Sequence, residues 1–432
     1  MGADFVGHNV AVWRRRRGMT QRVLADLCGF SQAYVSMLEQ GRRAIDKRST
    51  VVALAEALRV SVAELTGQPY PPVDPGHERA TAAVPAVRAA LISLSYDDIP
   101  APGGPIAGGP PPEGRTPGGR TPSGPTPGDP TPGDPTPGDP ASGRPAEAVL
   151  AAAGELAAAR RRCDYVRALA LAPVVLPDLA LHRADARMMS ALVLAVHDVA
   201  FVVKHLGHAD LAYQAATLCA GLAARTGDAT LVGLADYTRL QALPPESRQL
   251  GRRLATQAID DLGRRLTDCA GRRVYGQLQL TAGWTDALAG RTDDAAAHLD
   301  EADRIAAAVG DPADGGFGGT NFGPANVTQW RVSIAIETGE PGRALALADT
   351  LDPRRIAAPS RRTAYHIDVG HALTQTRRDR AALGAFLAAE RLAPQRVRLS
   401  PTVRDSVGAM VRRAHRTADT DLHALADRLG VT

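Results

Sequence analysis

The sequence predicts an all-α protein in three parts: a small N-terminal helical bundle, a disordered Pro/Gly-rich linker and a C-terminal α-solenoid. Ala and Leu dominate the composition while aromatic residues make up only 4%, a balance that favours helices over sheets. Beyond residue 146, apolar residues recur at three- and four-residue spacing, the period of an amphipathic helix. The 432 residues are enough for two or three domains.

Residues 20–41 have the pattern of a helix-turn-helix that could lie in a DNA major groove. Gly29 follows the first helix, where a left-handed turn costs little without a Cβ. Ser31 is a good N-cap for the second helix. Val35 and Leu38, three residues apart, turn one face of that helix inward and leave the opposite face free to reach base edges.

The order and spacing of these helices resemble the Cro/lambda-repressor-like (XRE) DNA-binding domain over residues 5–67. Segment 39–43 reads Glu-Gln-Gly-Arg-Arg, similar to the Glu-x-Gly-Arg ending of that family, and the loop 44–46 lacks the proline that many members carry. The resemblance predicts a lambda-repressor-like bundle with helices at 5–17, from Gln21, at 31–40, at 49–58 and at 62–65.

The same resemblance implies a role for each polar residue around the second helix. Gln32 is the predicted base reader, with Gln21 bracing it or touching phosphate; a bidentate glutamine–adenine contact supplies about 1–3 kcal/mol of discrimination. Ala33 could meet a thymine methyl, and Ser36 could contact either base type. Gln40, Arg42 and Arg43 are expected to hold the phosphate backbone, which sets the register. The predicted DNA-binding residues are Gln21, Ser31, Gln32, Ala33, Ser36, Gln40, Arg42 and Arg43.

Charge is concentrated in the same part of the chain. Residues 1–60 hold ten basic and five acidic side chains, a net charge of +5, whereas the whole chain carries only +4. The positive charge therefore lies where DNA phosphates would be. This favours DNA binding over a helix-turn-helix fold retained for protein contacts alone.

The domain is followed by a connector and a linker. A short helix is predicted at 76–96, with Val84, Val87, Leu91 and Leu94 on one face. Residues 98–145 are mostly Pro, Gly, Thr, Ser and Asp and include three tandem copies of Thr-Pro-Gly-Asp-Pro. Such a stretch has too little apolar surface to fold and predicts a semi-flexible tether between DNA-binding domain and solenoid. A plain spacer is favoured over a partner-docking segment.

Residues 146–432 show a recurring break before Ala-rich helices, at 207, 290, 339 and 377. With one intervening helix pair in the first gap, the period is about 40 residues, close to helix-turn-helix repeats of about 34. The region resembles a degenerate tetratricopeptide (TPR) array of about six or seven helix pairs, stacked into a curved solenoid. A non-repeating helical bundle is the alternative. An XRE domain joined to a TPR array is also the architecture of the RRNPP peptide-sensing regulators.

A glycine-rich loop at 315–323 precedes a helix that begins near Pro324, a favourable first helical residue. The loop fits neither Gly-x-Gly-x-x-Gly nor the Walker pattern, so it does not predict a nucleotide site. Inner-helix asparagines hold peptide backbones in the RRNPP regulators, and this resemblance makes Asn326 and Trp330, four residues apart, candidate ligand-binding residues. The alternative is that Trp330 is a core residue and Asn326 braces a loop. Further candidates for the same concave surface are Tyr237, Tyr275, Trp284 and His366.

Other patterns argue against an enzyme. His197, His205 and His208 are close in sequence, but no His-Glu-x-x-His or Cys/His spacing predicts a metal site. No Gly-x-Ser-x-Gly elbow predicts a nucleophile. We therefore expect no catalytic residue, no metal and no cofactor.

Composition also bears on compartment and source. Four cysteines far apart predict buried, reduced thiols in a cytoplasmic protein, and no apolar run long enough to span a membrane is expected. Only Lys47 and Lys204 of the 50 basic residues are lysines, a bias typical of a high-GC genome such as that of an actinobacterium.

These observations predict a cytoplasmic, nucleoid-associated transcriptional regulator that binds double-stranded DNA. By resemblance, it would bind a pseudo-palindromic operator as a homodimer. The TPR-like domain would sense a peptide, a small molecule or a protein on its concave face, or dimerise. The alternative is a TPR scaffold for protein–protein interactions in which DNA binding is secondary.

Overall fold

The computed structural model describes residues 6–70, 74–96, 144–244, 247–414 and 420–431. Within these ranges the chain forms 21 α-helices and no β-strand, which confirms the predicted all-α class. The predicted linker at 98–145 lies outside the described residues, except for its last two positions. The glycine-rich loop is followed by a helix that begins at Pro324, as predicted.

Five short helices form the N-terminal domain: α1 (Val6–Arg16), α2 (Gln21–Cys28), α3 (Gln32–Glu39), α4 (Arg48–Leu58) and α5 (Val62–Thr66). Local sequence fixes their ends. The Thr20 hydroxyl accepts from the Val23 backbone N–H, and Gly29 ends α2 in the left-handed region with φ of 68°. Side chains from all five helices and the 41–47 loop close one core: Val6, Val10, Leu24, Val35, Leu38, Ile45, Leu54, Leu58 and Leu65.

The helix predicted as a connector is α6 (Pro75–Tyr96), and it packs against α8 and α10. Its four predicted apolar residues, Val84, Val87, Leu91 and Leu94, are all buried in the largest core of the protein. Burying each side chain of this kind stabilises the folded protein by about 1.5–3 kcal/mol. This helix is therefore an integral part of the C-terminal body.

The remaining helices pack mainly in consecutive pairs and form a helical-repeat-like region. Their bounds are α7 (Ala146–Arg161), α8 (Tyr165–Leu181), α9 (Ala186–His205), α10 (Ala209–Thr226), α11 (Ala229–Ala242), α12 (Arg248–Gly263), α13 (Cys269–Leu288), α14 (Thr292–Val309), α15 (Pro324–Glu337), α16 (Pro341–Asp349), α17 (Pro359–Gln375), α18 (Asp379–Leu392), α19 (Pro394–Arg398), α20 (Pro401–Arg413) and α21 (Thr420–Leu429).

A single turn geometry recurs between paired helices. The four predicted breaks each place a residue in the left-handed region: Gly207 (φ 87°), Gly290 (φ 74°), Gly339 (φ 89°) and Arg377 (φ 61°). In every case the backbone N–H of the residue after the left-handed one donates to the carbonyl five positions before it, as at a Schellman helix end. Cys163 (φ 62°) makes the same turn between α7 and α8. The sequence analysis did not predict a break at this position.

The expectation that no apolar run is long enough to span a membrane is wrong for one helix. Helix α9 is long and apolar enough to cross a membrane by length and composition. However, 67% of its most apolar stretch is buried inside the protein, where it forms the centre of the largest core. The core helix of a protein can be as long and as apolar as a membrane span, so α9 is only weak evidence for a membrane location.

The cysteines differ in their surroundings. Cys163 and Cys219 are buried and Cys28 is half-buried, but Cys269 is exposed, so the prediction of buried thiols is wrong at that position. Burial raises the pKa of Cys28 to about 11. It also raises the pKa of Cys163. These two thiols therefore stay protonated near neutral pH.

Two glycines give a matched test of the packing. Gly276 in α13 lies against the fully buried ring of Phe322, and a Cβ there would overlap that ring. We expect Gly276→Ala to destabilise the protein by about 2 kcal/mol, since overpacked cores cannot relax. Gly154 in α7 has open space around it, and Gly154→Ala should stabilise by about 0.5–1 kcal/mol through helix propensity. Thermal unfolding followed by circular dichroism measures both, and equal midpoints for the two variants would contradict the packing.

Candidate nucleic-acid interface

Helix α3 presents a polar face to solvent. Val35 and Leu38 are fully buried, while Gln32 and Ala33 are exposed and Ser36 is half-exposed. The predicted base-reading residues therefore share one accessible face of one helix. A helix of this size fits the major groove, where each base pair offers a distinct pattern of donors and acceptors.

Two other predicted residues are tied to α3 itself. The Ser31 hydroxyl accepts from the Tyr34 backbone N–H at 3.1 Å, so Ser31 caps the helix. Ser31 is also exposed to solvent. Gln40 donates from its side-chain amide to the Ser36 hydroxyl at 2.9 Å. In the free protein these bonds order both ends of the exposed face.

A charged triad of Arg14, Gln21 and Glu39 fixes α3 against α1 and α2. Arg14 donates two hydrogen bonds to the Glu39 carboxylate, at 2.5 and 2.9 Å, and Gln21 donates a third at 2.8 Å. Burial alone would raise the pKa of Glu39, but these partners lower it below its usual range. Gln21 therefore holds the end of α3 through Glu39 rather than through Gln32.

The arginines of the domain divide into a structural group and an exposed group. Arg17 donates to the carbonyls of Leu58 and Arg59, at 3.1 and 3.0 Å, and so caps the end of α4. Arg43 lies over the Tyr34 ring, 5.2 Å from its centroid, and remains exposed with Arg42. Arg42 and Arg43 directly follow α3, so their charges lie beside the exposed polar face.

The N-terminal domain docks on the C-terminal body through α4 and the loop before it. Glu337 at the end of α15 accepts from the backbone N–H groups of Arg48 and Ser49, both at 3.0 Å, and from the Ser49 hydroxyl at 2.8 Å. Helix α4 has no side-chain cap of its own. A carboxylate is well suited to this position because it meets both unpaired donors and the positive end of the helix dipole.

Helix α20 supplies further docking contacts. The Asp405 carboxylate accepts from the Ile45 backbone N–H, and Arg412 donates to the Gly41 carbonyl at 2.7 Å. Burial raises the pKa of Asp405 to about 6. Through these contacts the docked domain keeps its recognition face exposed. Direct docking also corrects the predicted loose link between DNA-binding domain and solenoid, because both neighbours of the linker, α6 and α7, belong to the C-terminal body.

The two candidate ligand residues occupy different settings. Trp330 is 4% exposed, packs edge-to-face on Trp284 with centroids 5.5 Å apart, and lines a cavity of about 540 Å³. Asn326 is fully buried and is not among the lining residues. Of the other four aromatic candidates, only Trp284 lines this cavity.

Two of the histidines considered as metal ligands, His197 and His205, have structural partners, and His205 bonds the Tyr165 hydroxyl at 3.1 Å. His197 is fully buried and bonds the Thr238 hydroxyl at 2.6 Å and the Gly318 carbonyl at 2.9 Å. Burial and the nearby Arg160 guanidinium hold the pKa of His197 well below its ordinary value. In the described part of the chain, no three His, Cys, Asp or Glu side chains are grouped to hold a metal ion.

The fold and the exposed polar face define a helix-turn-helix DNA-binding domain. Residues 6–66 match the family described as helix-turn-helix domain. The chain is also similar to the uncharacterized HTH-type transcriptional regulator y4dJ of Sinorhizobium fredii, with 48% identity over 63 residues, 14% of this chain and 77% of that protein. The chain therefore belongs to the family of helix-turn-helix transcriptional regulators, a membership carried by its N-terminal domain.

The charged triad yields a stability prediction. Glu39→Gln keeps the shape of the side chain but removes its charge, and we expect a loss of about 2 kcal/mol because hydrogen bonds to charged groups are the stronger ones. Amide hydrogen exchange in α2 and α3 should accelerate by about 30-fold in the full chain. Asp26→Asn, at an exposed carboxylate of α2, is the matched control and should leave exchange unchanged.

The contribution of Glu39 to stability depends on pH in a defined direction. Because the folded-state pKa of Glu39 is lowered, its contribution is present above the usual carboxyl pKa of 4.5 and is lost as the pH falls through the lowered value. The exchange difference between wild type and Glu39→Gln should therefore shrink on acidification. A difference that stayed constant from neutral pH to well below the lowered pKa would count against the triad.

Proposed function

We propose that the chain is a sequence-specific DNA-binding transcriptional regulator whose C-terminal region senses a ligand or protein, dimerises, or does both. The observation that carries the proposal is the exposed polar face of α3, which stays accessible while α4 is docked on the body. A regulator needs its reading surface free and the rest of the domain held by the part that receives the signal.

The contacts divide by their chemistry. Gln32 reads a base edge, Ala33 meets a thymine methyl, and Ser36 contacts an adjacent base. Arg42 and Arg43, with Gln40, hold the phosphate backbone and set the register. Gln21 contributes by holding Glu39 and hence α3, which supports a positioning role.

The whole protein acts in the cytoplasm, on operators of paired half-sites. Two copies of the chain bind a pseudo-palindrome with half-site centres about one helical turn, ~34 Å, apart. The helical-repeat-like region supplies the surface for a ligand or a second copy. Its cavity wall at Trp330, rather than the enclosed Asn326, supports the ligand part of this function.

Two substitutions separate base reading from backbone contact. Gln32→Ala should reduce discrimination against a changed base pair in the half-site by about 1–3 kcal/mol, while binding to unrelated DNA stays the same. Arg42→Ala should weaken binding to all sequences alike and reduce the slope of log affinity against log salt by about one. Gel-shift titrations on the promoter region of the gene itself, at several salt concentrations, measure both effects.

Exposed residues of α12 provide the controls. Gln257→Ala and Arg253→Ala make the same chemical changes at solvent-exposed positions outside the N-terminal domain, and both should bind DNA as wild type does. If Gln32→Ala and Arg42→Ala bind DNA as tightly and as selectively as these controls, the DNA-reading proposal fails. A scaffold function for the helical-repeat-like region would then take its place.

A further inference from the structure

The cavity of about 540 Å³ lies between the N-terminal domain and the C-terminal body. Helix α4 forms one wall with Arg48, Ser49, Val51 and Val52, and side chains from many helices of the body form the others. A volume of this size is typical of sites for small organic molecules. Because α4 is part of the wall, the cavity is complete only when the two regions are docked.

Apart from Arg160, which forms an ion pair with Asp198 at 3.2 Å, four lysine and arginine side chains from separate helices line this cavity. They are Arg48 of α4, Lys204 of α9, Arg361 of α17 and Arg396 of α19. Among the described residues, none of them has a carboxylate within ion-pair distance. Their recorded partners are neutral: Arg361 donates to the Tyr237 hydroxyl at 2.7 Å, Arg396 to the Ser360 carbonyl, and Lys204 to the Gln241 side chain at 3.4 Å.

Three carboxylates line the cavity, and two of them, Glu337 and Asp368, have other partners. Glu337 caps α4, and Asp368 accepts from Ser333 and from Gln329, the latter at 3.2 Å. Burial raises the pKa of Asp368, and it raises the pKa of Asp46 to about 6. Among the described residues, none of these three carboxylates is within ion-pair distance of the four basic side chains, although the charge of Arg48 partly offsets the effect of burial on the pKa of Asp368.

The basic groups repel one another. Burial, together with Arg48, Arg396 and Arg361, lowers the pKa of Lys204 to about 7. Burial also lowers the pKa of Arg396, and the charges of Arg48 and Arg361 lower it further. An anion placed among them would relieve this repulsion and gain charge-assisted hydrogen bonds.

The rest of the wall is apolar. Val52, Leu240, Ile336 and Ile367 line it beside the Trp284–Trp330 pair. The indole N–H groups of both tryptophans and the Gln329 side-chain oxygen have no hydrogen-bond partner among the described residues. The cavity thus combines a basic cluster with an apolar surface and a few polar groups in need of a partner, the composition of a site for an amphiphilic molecule.

We infer that this cavity binds a small organic anion, with its acidic group among Lys204, Arg361, Arg396 and Arg48 and its apolar body against the Val52, Ile336 and tryptophan wall. Arg48 makes the DNA-binding domain part of the ligand site. The inference deepens the ligand-sensing part of the proposed function. It does not depend on DNA binding, so the two can fail separately.

A pair of fluorescent probes tests the site in the full chain without DNA. 8-Anilinonaphthalene-1-sulfonate is an anion with an apolar body, and N-phenyl-1-naphthylamine has the same rings without the charge. We expect the wild type to bind the sulfonate at least about tenfold more tightly, since a charge-assisted contact of this kind exceeds the ~1.4 kcal/mol that a tenfold change requires. Benzoate and phenyl phosphate are the competitors, and displacement by one but not the other identifies the acidic group.

The variants assign the effect to the cluster. Lys204→Met, Arg361→Met and Arg48→Met should each weaken sulfonate binding by about tenfold and leave binding of the neutral probe unchanged. Lys204→Arg, which restores the charge, should restore the affinity. Arg272→Met, at an exposed position of α13, is the control and should match the wild type.

A misfolded variant can be recognised because its exposed apolar surface would raise the binding of both probes. Circular dichroism checks that each variant keeps the helix content of the wild type. The inference is overturned if the wild type binds both probes equally, or if neither competitor displaces the sulfonate. It is also overturned if Lys204→Met and Arg361→Met, folded as wild type, keep full sulfonate affinity.

Discussion

The Glu337 carboxylate at the N-terminus of α4 is the contact on which the rest of the arrangement depends. It satisfies two backbone donors that have no cap within their own domain, and so the first turn of α4 is completed by α15. Asp405 and Arg412 extend the same junction to the loop before α4. This junction leaves α3 open to solvent and places Arg48 and Val52 over the cavity. The proposed reading surface and the proposed ligand site are therefore two sides of one docked domain.

The C-terminal body is held together by a repeated local solution. At Cys163, Gly207, Gly290, Gly339 and Arg377 the chain leaves a helix through a left-handed residue and starts the next one at once. Such a turn needs few residues and returns the chain beside the helix it has just left. Repetition of this turn lets helix pairs stack into one continuous structure, in which each pair buries the apolar face of its neighbour.

Local rules predicted most of the helices and their ends. Ser31, Gly29 and Pro324 act within a few residues of themselves, and the sequence places each correctly. Contacts between distant segments could not be predicted in this way: Glu337 meets Arg48 across 289 positions of the chain. The basic cluster has the same origin, because its four members come from four separate helices. For Trp330 and Asn326, helical spacing gave a shared face, but only the packing of neighbouring helices decides which of them reaches the cavity.

The packing of α6 has a consequence for how this chain can vary. Helices α6 and α7 contribute side chains to the same buried core, so the segment between Tyr96 and Ala146 leaves the body and returns to it. The path from the DNA-binding domain to the body instead runs through the few residues between Thr66 and Pro75. A gain or loss of Thr-Pro-Gly-Asp-Pro copies therefore changes the chain between two helices of the same body and leaves the connection between the N-terminal domain and the body unchanged.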